Sequence, residues 1–337
     1  MQIFLDFIQK YLYNYAYILF SRYIIMNKTK IFIDGKEGTT GLRIFERLSN
    51  RDDVEIITLS DELRKDTAAR KQALNSCDIA FLCLPDAAAI EAVSLIDNPD
   101  VKVIDASTAH RTLPEWAYGF PELSPEHLEK IKNSKRVAVP GCHASGFIAL
   151  VYPLIAAGIL PADALLTCTS VTGYSGGGKK MIAQYENGSR EDYLNSPRQY
   201  GLTQQHKHLK EMKAITGIEN APMFSPIVAD YYSGMAVTVP VFAKNLCNGK
   251  GICDIIDVYK TLYSSDFVKY TEELGSDAMF CAEAMSGNDG MQIFVQGNEE
   301  RILLMARYDN LGKGASGAAI ECMNILMGID PKTGLNL

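Results

Sequence analysis

Ile31-Phe32-Ile33-Asp34-Gly35-Lys36-Glu37-Gly38-Thr39-Thr40-Gly41-Leu42 decides how the first half of this chain folds. Residues 31–34 read as a short apolar strand, the glycines follow at once, and Leu42 to Leu48 takes up helical spacing. Strand, glycine turn and helix in that order open a dinucleotide-binding unit. The glycines permit a tight turn and let a pyrophosphate approach the N–H groups at the helix start. The spacing is G-x-x-G-x-x-G rather than the commoner G-x-G-x-x-G, so taken alone it also fits a structural turn.

The alternation continues outward. Strands are expected at Val54–Leu59, Ile79–Leu84 (before Pro85-Asp86) and Val101–Asp105, with helices at Asp66–Asn75 and Ala87–Ile96. Repeated units of this length predict an open parallel sheet with right-handed crossovers. The end of the second strand bears on cofactor choice. Ser60, Arg64 and Lys65 suit a 2′-phosphate and favour NADP, whereas Asp61 suits the ribose hydroxyls of NAD.

The second informative stretch is Val137-Ala-Val-Pro-Gly-Cys142-His-Ala-Ser-Gly146, followed by an apolar helix expected over Ala144–Ala157. A thiol at a helix start faces unpaired N–H groups and the positive end of the helix dipole, and both favour the nucleophilic thiolate. Cys142 is therefore read either as a nucleophile or as a packed structural thiol.

Beyond it, Ala164–Val171 alternates like a strand and leads into the glycine-rich Thr172–Lys180. Gly173 to Lys179 approaches a P-loop, but Lys180 replaces the magnesium-binding hydroxyl, which argues against an ATPase. The loop suits an anionic substrate or is a flexible turn. His206 and His208, with Glu211 close behind, open a polar helix and supply a candidate acid/base. Strands at 235–242, 291–296 and 302–308 are read as following one another without an intervening helix, predicting a mixed or antiparallel sheet. Asp309 to Gly317 then opens a last helix, Ala318–Met327, whose glycine-rich start is expected to return to the nucleotide site.

The whole chain sets bounds. Its 337 residues suffice for two domains, and the charge of -7 argues against a general nucleic-acid or membrane-surface role. Eight scattered cysteines without Cys-x-x-Cys spacing indicate reduced thiols and no metal site. Met1–Ile25 is aromatic and aliphatic, too short in uncharged run to span a bilayer, and lacks the basic start of a secretory signal. We expect it to lie upstream of the working start at Met26, or to be a dispensable extension.

Taken together, these residues resemble the N-acetyl-gamma-glutamyl-phosphate reductase family, in its shorter form, related to aspartate-semialdehyde dehydrogenase. The resemblance runs from about Lys28 to Gly334 and rests on Gly35–Leu42, Leu84–Asp86, Asp105–Arg111, Tyr118–Leu123, Val139–Gly146, His206–His208 and Asp309–Gly314. It implies an α/β protein with a Rossmann-type parallel-sheet domain and an α+β catalytic domain with a mixed sheet. Residues 28–145 would bind NADP, 146–308 would serve catalysis and oligomerisation, helix 312–330 would pack back on the first domain, and 1–27 is the extension.

The resemblance further implies reduction of the acyl phosphate through a Cys142 thioester, with His206 as acid/base in preference to His208. Lys210 stands where the family usually has proline, which leaves the path after His208 open. Substrate is expected at Arg111, His208, Glu211 and Ser175, with Arg111 taking the carboxylate unless it forms an interdomain ion pair. Cofactor is expected at Gly35, Gly38, Thr39, Thr40, Gly41, Ser60, Arg64, Pro85, Asn310 and Gly314. A cytoplasmic homo-oligomer, dimer or tetramer, acting on a small molecule would follow. The alternatives are a sister acyl-phosphate reductase, a cysteine hydrolase using Cys142 and His206, and a non-catalytic relative.

Overall fold

A computed structural model describes residues 28–274 and 278–337. The extension expected at 1–27 lies outside them.

The strand, glycine turn and helix of the opening motif form as β1 (Thr29–Asp34) and α1 (Thr39–Leu48). Ile44 and Leu48 face inward four residues apart, and Gly41 lets the helix sit close, since a Cβ there would lie 2.5 Å from the Gly35 carbonyl oxygen. Gly35 has φ +85, and a side chain on it would meet the Cys83 carbonyl oxygen at 2.4 Å, so only glycine makes this turn. Next come β2 (Val54–Ile57), α2 (Thr67–Ser76), β3 (Ile79–Leu82), α3 (Asp86–Ser94) and β4 (Lys102–Asp105). Asp66, read as a helical residue, instead caps α2, its carboxylate accepting from the Ala69 N–H at 2.7 Å.

Two short strands without a sequence signal, β5 (Ala117–Tyr118) and β6 (Arg136–Ala138), flank α4 (Pro125–Asn133) and complete the first sheet. Its order is β2-β1-β3-β4-β6-β5 and every pairing is parallel. The strand ends of β1, β3, β4 and β6 therefore point the same way, toward one crevice.

Helix α5 (Cys142–Ala156) leaves β6 and carries the chain to the second sheet. It is buried nearly all round, as an unbroken apolar run requires. The second sheet holds β7 (Thr167–Gly173), β8 (Arg198–Gln199), β9 (Met223–Ala229), β10 (Met235–Phe242), β11 (Val268–Tyr270), β12 (Met291–Gly297) and β13 (Arg301–Tyr308). Its order is β11-β12-β13-β10-β7-β9-β8, with β7–β9 and β11–β12 parallel and the other pairs antiparallel. Helices α6 (Gly178–Glu186), α7 (His208–Thr216) and α8 (Ile252–Leu262) belong to this half. One core joins α5 to the inner face of the mixed sheet through Phe147, Leu150, Val237 and Leu304.

The last helix, α9 (Gly317–Met327), reverses direction. Its Ala319, Ile320 and Met323 share a core with Ile31, Ile104 and Val137 of the parallel sheet. Among the described residues no helix is long and apolar enough to cross a membrane.

Candidate active site

Cys142 is the first residue of α5, behind Gly141 as N-cap. Gly141 has no room for a side chain, because a Cβ would lie 2.4 Å from both Arg111 Nη1 and His208 Nε2. Its N–H donates to Glu211 at 2.8 Å, and the same carboxylate accepts from the Tyr118 hydroxyl (2.7 Å) and Arg111 Nη1 (2.9 Å). Arg111 also donates to the carbonyls of Val139 (2.8 Å) and Ala106 (3.0 Å). Tyr308 donates to the Cys142 carbonyl at 2.5 Å and accepts from the Gly146 N–H at 3.0 Å. This frame holds the thiol's backbone rigid from three elements.

The frame also changes the thiol. Burial pushes Cys142 up to about 11, against the lowering pull of the Arg111 guanidinium and the His143 N–H. The expected thiolate at the helix start is therefore corrected: desolvation outweighs the helix-start groups, and the resting sulfur carries its proton.

Cys142 lines a cleft of about 430 Å³ between the two sheets. Gly38, Thr39 and Thr40 stand at one end, Ser175 to Gly178 cover it, and Asn310 and Gly314 close it from the last segment. Gly314 sits against the thiol, its would-be Cβ 3.1 Å from Cys142 Cβ. Asn310 donates to Ser175 Oγ at 3.0 Å and accepts from the Gly234 N–H at 2.9 Å, which fixes the glycine-rich loop. Lys313, buried between Glu122 and Glu321, anchors the turn that carries Gly314.

The two histidines differ. His206 is half-buried in the cleft, and its Nδ1 accepts from the His208 N–H at 3.2 Å, so its neutral ring carries the proton on Nε2. Burial, then the Lys207 charge, lowers its pKa. His208 is buried against Gly141, its Nδ1 has no partner among the described residues, and burial and then Arg111 hold its pKa well below the usual value. Both rings line the cleft, 4.7 Å apart.

Of the expected substrate residues, Arg111, His208 and Ser175 line the cleft and Glu211 does not. Glu211 is corrected to a framing residue, since its oxygens are committed to Gly141, Tyr118 and Arg111. Arg111 spans the halves in an ion pair with Glu211 yet keeps an N–H on each terminal nitrogen for a ligand. Residues the sequence did not single out are also present: His143 and Tyr200 share a 2.6 Å hydrogen bond, and Tyr200 lines the cleft.

A recess of about 280 Å³ adjoins the first sheet and is lined by Gly35, Ile57, Asp61, Arg64 and Lys65, among others. Leu84 lines both cavities, making them neighbours. Ser60 is exposed on the turn before Arg64 and Pro85 caps α3, and neither lines these two cavities. The residues fit a dinucleotide. Among the described residues Thr39 Oγ1 is buried without a partner and the start of α1 has no side-chain cap, leaving N–H groups and a hydroxyl for a pyrophosphate. Among the described residues no metal-binding cluster occurs.

Residues 60–131 match the semialdehyde dehydrogenase NAD-binding domain and residues 142–310 the semialdehyde dehydrogenase dimerisation domain. A relative from Nostoc sp., N-acetyl-gamma-glutamyl-phosphate reductase 2, is 46% identical over 324 residues, 92% of this chain and 100% of its own. The chain belongs to the N-acetyl-gamma-glutamyl-phosphate reductase family. The Brucella ovis reductase is 44% identical over 308 residues, 89% of this chain and 99% of that protein. The fold is shared with aspartate semialdehyde dehydrogenase II from Vibrio cholerae, at TM-score 0.66 and 16% identity over 90% of this chain and 99% of that one. The Candida albicans aspartate semialdehyde dehydrogenase with NADP aligns at TM-score 0.62 and 16% identity, covering 89% and 99%. The chain is thus an oxidoreductase of the semialdehyde dehydrogenase class, with a nicotinamide-cofactor domain.

Proposed function

We propose that the chain reduces N-acetyl-gamma-glutamyl phosphate to N-acetylglutamate 5-semialdehyde and phosphate, in the cytoplasm, with NADPH preferred over NADH. The carrying observation is one continuous cleft that brings the glycine start of α1, the Cys142 thiol and His206 together.

Cys142 Sγ attacks the acyl carbon, the C–O bond to phosphate breaks, and the thiol proton leaves with the phosphate. That route suits a thiol whose resting form is protonated. Arg111, with its spare N–H groups, holds the substrate carboxylate, and Ser175 and His208 border it. The nicotinamide cofactor, when bound, supplies hydride to the thioester carbon. The Cys142 adduct then collapses to aldehyde and thiolate, and the sulfur regains its proton from solvent through His206, which passes it on as the imidazolium. Backbone N–H groups at the start of α5 support the transient oxyanion.

Arg64 and Lys65 in the adjoining recess support a 2′-phosphate and hence NADP. Exposed Met223, Phe242 and Leu303 on the second sheet support a homo-oligomer through that half. The test is phosphate-dependent NADP reduction with N-acetylglutamate, aspartate and aminoadipate semialdehydes, on wild type and Cys142→Ser. We expect the first to be preferred and the variant to lose about 10⁴-fold or more in kcat. Preference for another semialdehyde, or full activity in the variant, contradicts the assignment.

A further inference from the structure

His143 follows the thiol directly and is buried, with Nδ1 2.7 Å from Ser170 Oγ and Nε2 2.6 Å from the Tyr200 hydroxyl. Burial, and then the neighbouring His206 whenever it is protonated, lowers its pKa to about 3, so the ring carries a single proton at neutral pH. Which nitrogen holds it is decided at Ser170. That hydroxyl is fully buried on β7, and among the described residues its only partner is His143. A buried O–H without an acceptor costs about 1–3 kcal/mol, so Ser170 donates to Nδ1 and the ring proton sits on Nε2. His143 then donates to the Tyr200 oxygen. The Tyr200 O–H is left without a protein acceptor among the described residues, and burial raises its pKa so that it stays protonated. Tyr200 is half-buried and lines the cleft that holds Cys142 and His206.

We propose that Tyr200 donates a hydrogen bond to the substrate carbonyl oxygen as it becomes anionic, aimed by a relay from Ser170 through His143. No proton is transferred: the phenol stabilises developing charge, and the relay fixes which way its O–H points. Ser170 and His143 are positioning residues, and Tyr200 touches the reacting oxygen. The proposal rests on the acyl-phosphate reading, but its first test does not.

Nitrogen NMR of histidine-labelled wild type reads the His143 tautomer without any substrate. We expect the Nε2-protonated neutral ring across about pH 6 to 8, and the Nδ1-protonated form overturns the relay. In Tyr200→Phe, kcat is expected to fall about 10²–10³-fold with KM moving less than about threefold. Cys142 alkylation by iodoacetamide, which needs no carbonyl donor, should stay within about threefold of wild type. A kcat within about threefold of wild type overturns the donor role, as does an alkylation rate that falls in step with kcat. If wild type turns over no acyl phosphate, the functional reading fails while the tautomer result stands on its own.

Discussion

Helices α1 and α5 both follow a parallel strand and both start at a glycine without a side-chain cap, yet their first turns live in opposite settings. At α1, among the described residues, Thr39 Oγ1 is buried and unpaired and no side chain caps the helix start. At α5 the neighbours are large and interlocked, with Glu211, Arg111, Tyr118 and Tyr308 all bonded to the loop or to each other. The first start is left open for an anion. The second is closed around a thiol, and burial there raises the Cys142 pKa to about 11 although Arg111 lies close. A helix start therefore offers positive potential, and the side chains around it decide whether that potential binds a ligand or is outweighed by desolvation.

The comparison breaks most visibly at Glu211. Glu211→Ala strips the acceptor from Gly141, Tyr118 and Arg111 and leaves a buried guanidinium unpaired. Chemical denaturation should show a loss of about 3–5 kcal/mol. A loss under about 1 kcal/mol would mean that the loop around Cys142 is not held by this frame.

The titration of the thiol sharpens it next. A thiol at about 11 has little thiolate at neutral pH, and the fraction rises with each pH unit up to that value. Alkylation of the Cys142 peptide, followed by mass spectrometry without substrate, should climb about tenfold per unit from about pH 7 to 9. A plateau near neutral pH would put the helix start above burial.

The smallest effect belongs to α1. Thr39→Val removes the unpaired hydroxyl and keeps the shape, so ligand-free stability should hold or rise. Cofactor affinity by calorimetry should fall about fivefold, the worth of one hydrogen bond near 1 kcal/mol. Unchanged affinity would remove Thr39 from the cofactor site.

How legible each part was follows from the range of its causes. Residues 31–48 could be read because strand, glycine turn and helix are adjacent in the chain, and Gly35 marks its own steric need. Strands β5 and β8, two residues each, carry no pattern to read and exist because longer neighbours pair with them. Strand β9 carries Pro226 and reads poorly as a strand, yet it pairs β7 over seven residues.

The site follows the same rule. Cys142 and His206 stood out by local motif, whereas Tyr200 reaches His143 from 57 residues away. Glu211 looked like a ligand because it follows two histidines, and only the fold shows its oxygens turned to Gly141 and Tyr118. Nor does the sequence next to Cys142 announce that burial outweighs the helix start, since Arg111, Tyr118 and Tyr308 come from distant segments.

The central claim is a thioester on Cys142, and it can be caught directly. Wild-type protein mixed with N-acetyl-gamma-glutamyl phosphate without NADPH, quenched in acid and digested, should carry the acyl group on the peptide containing Cys142, released by hydroxylamine. Added NADPH should discharge it. No adduct, or an acyl group on another residue that NADPH discharges at the turnover rate, would contradict the account.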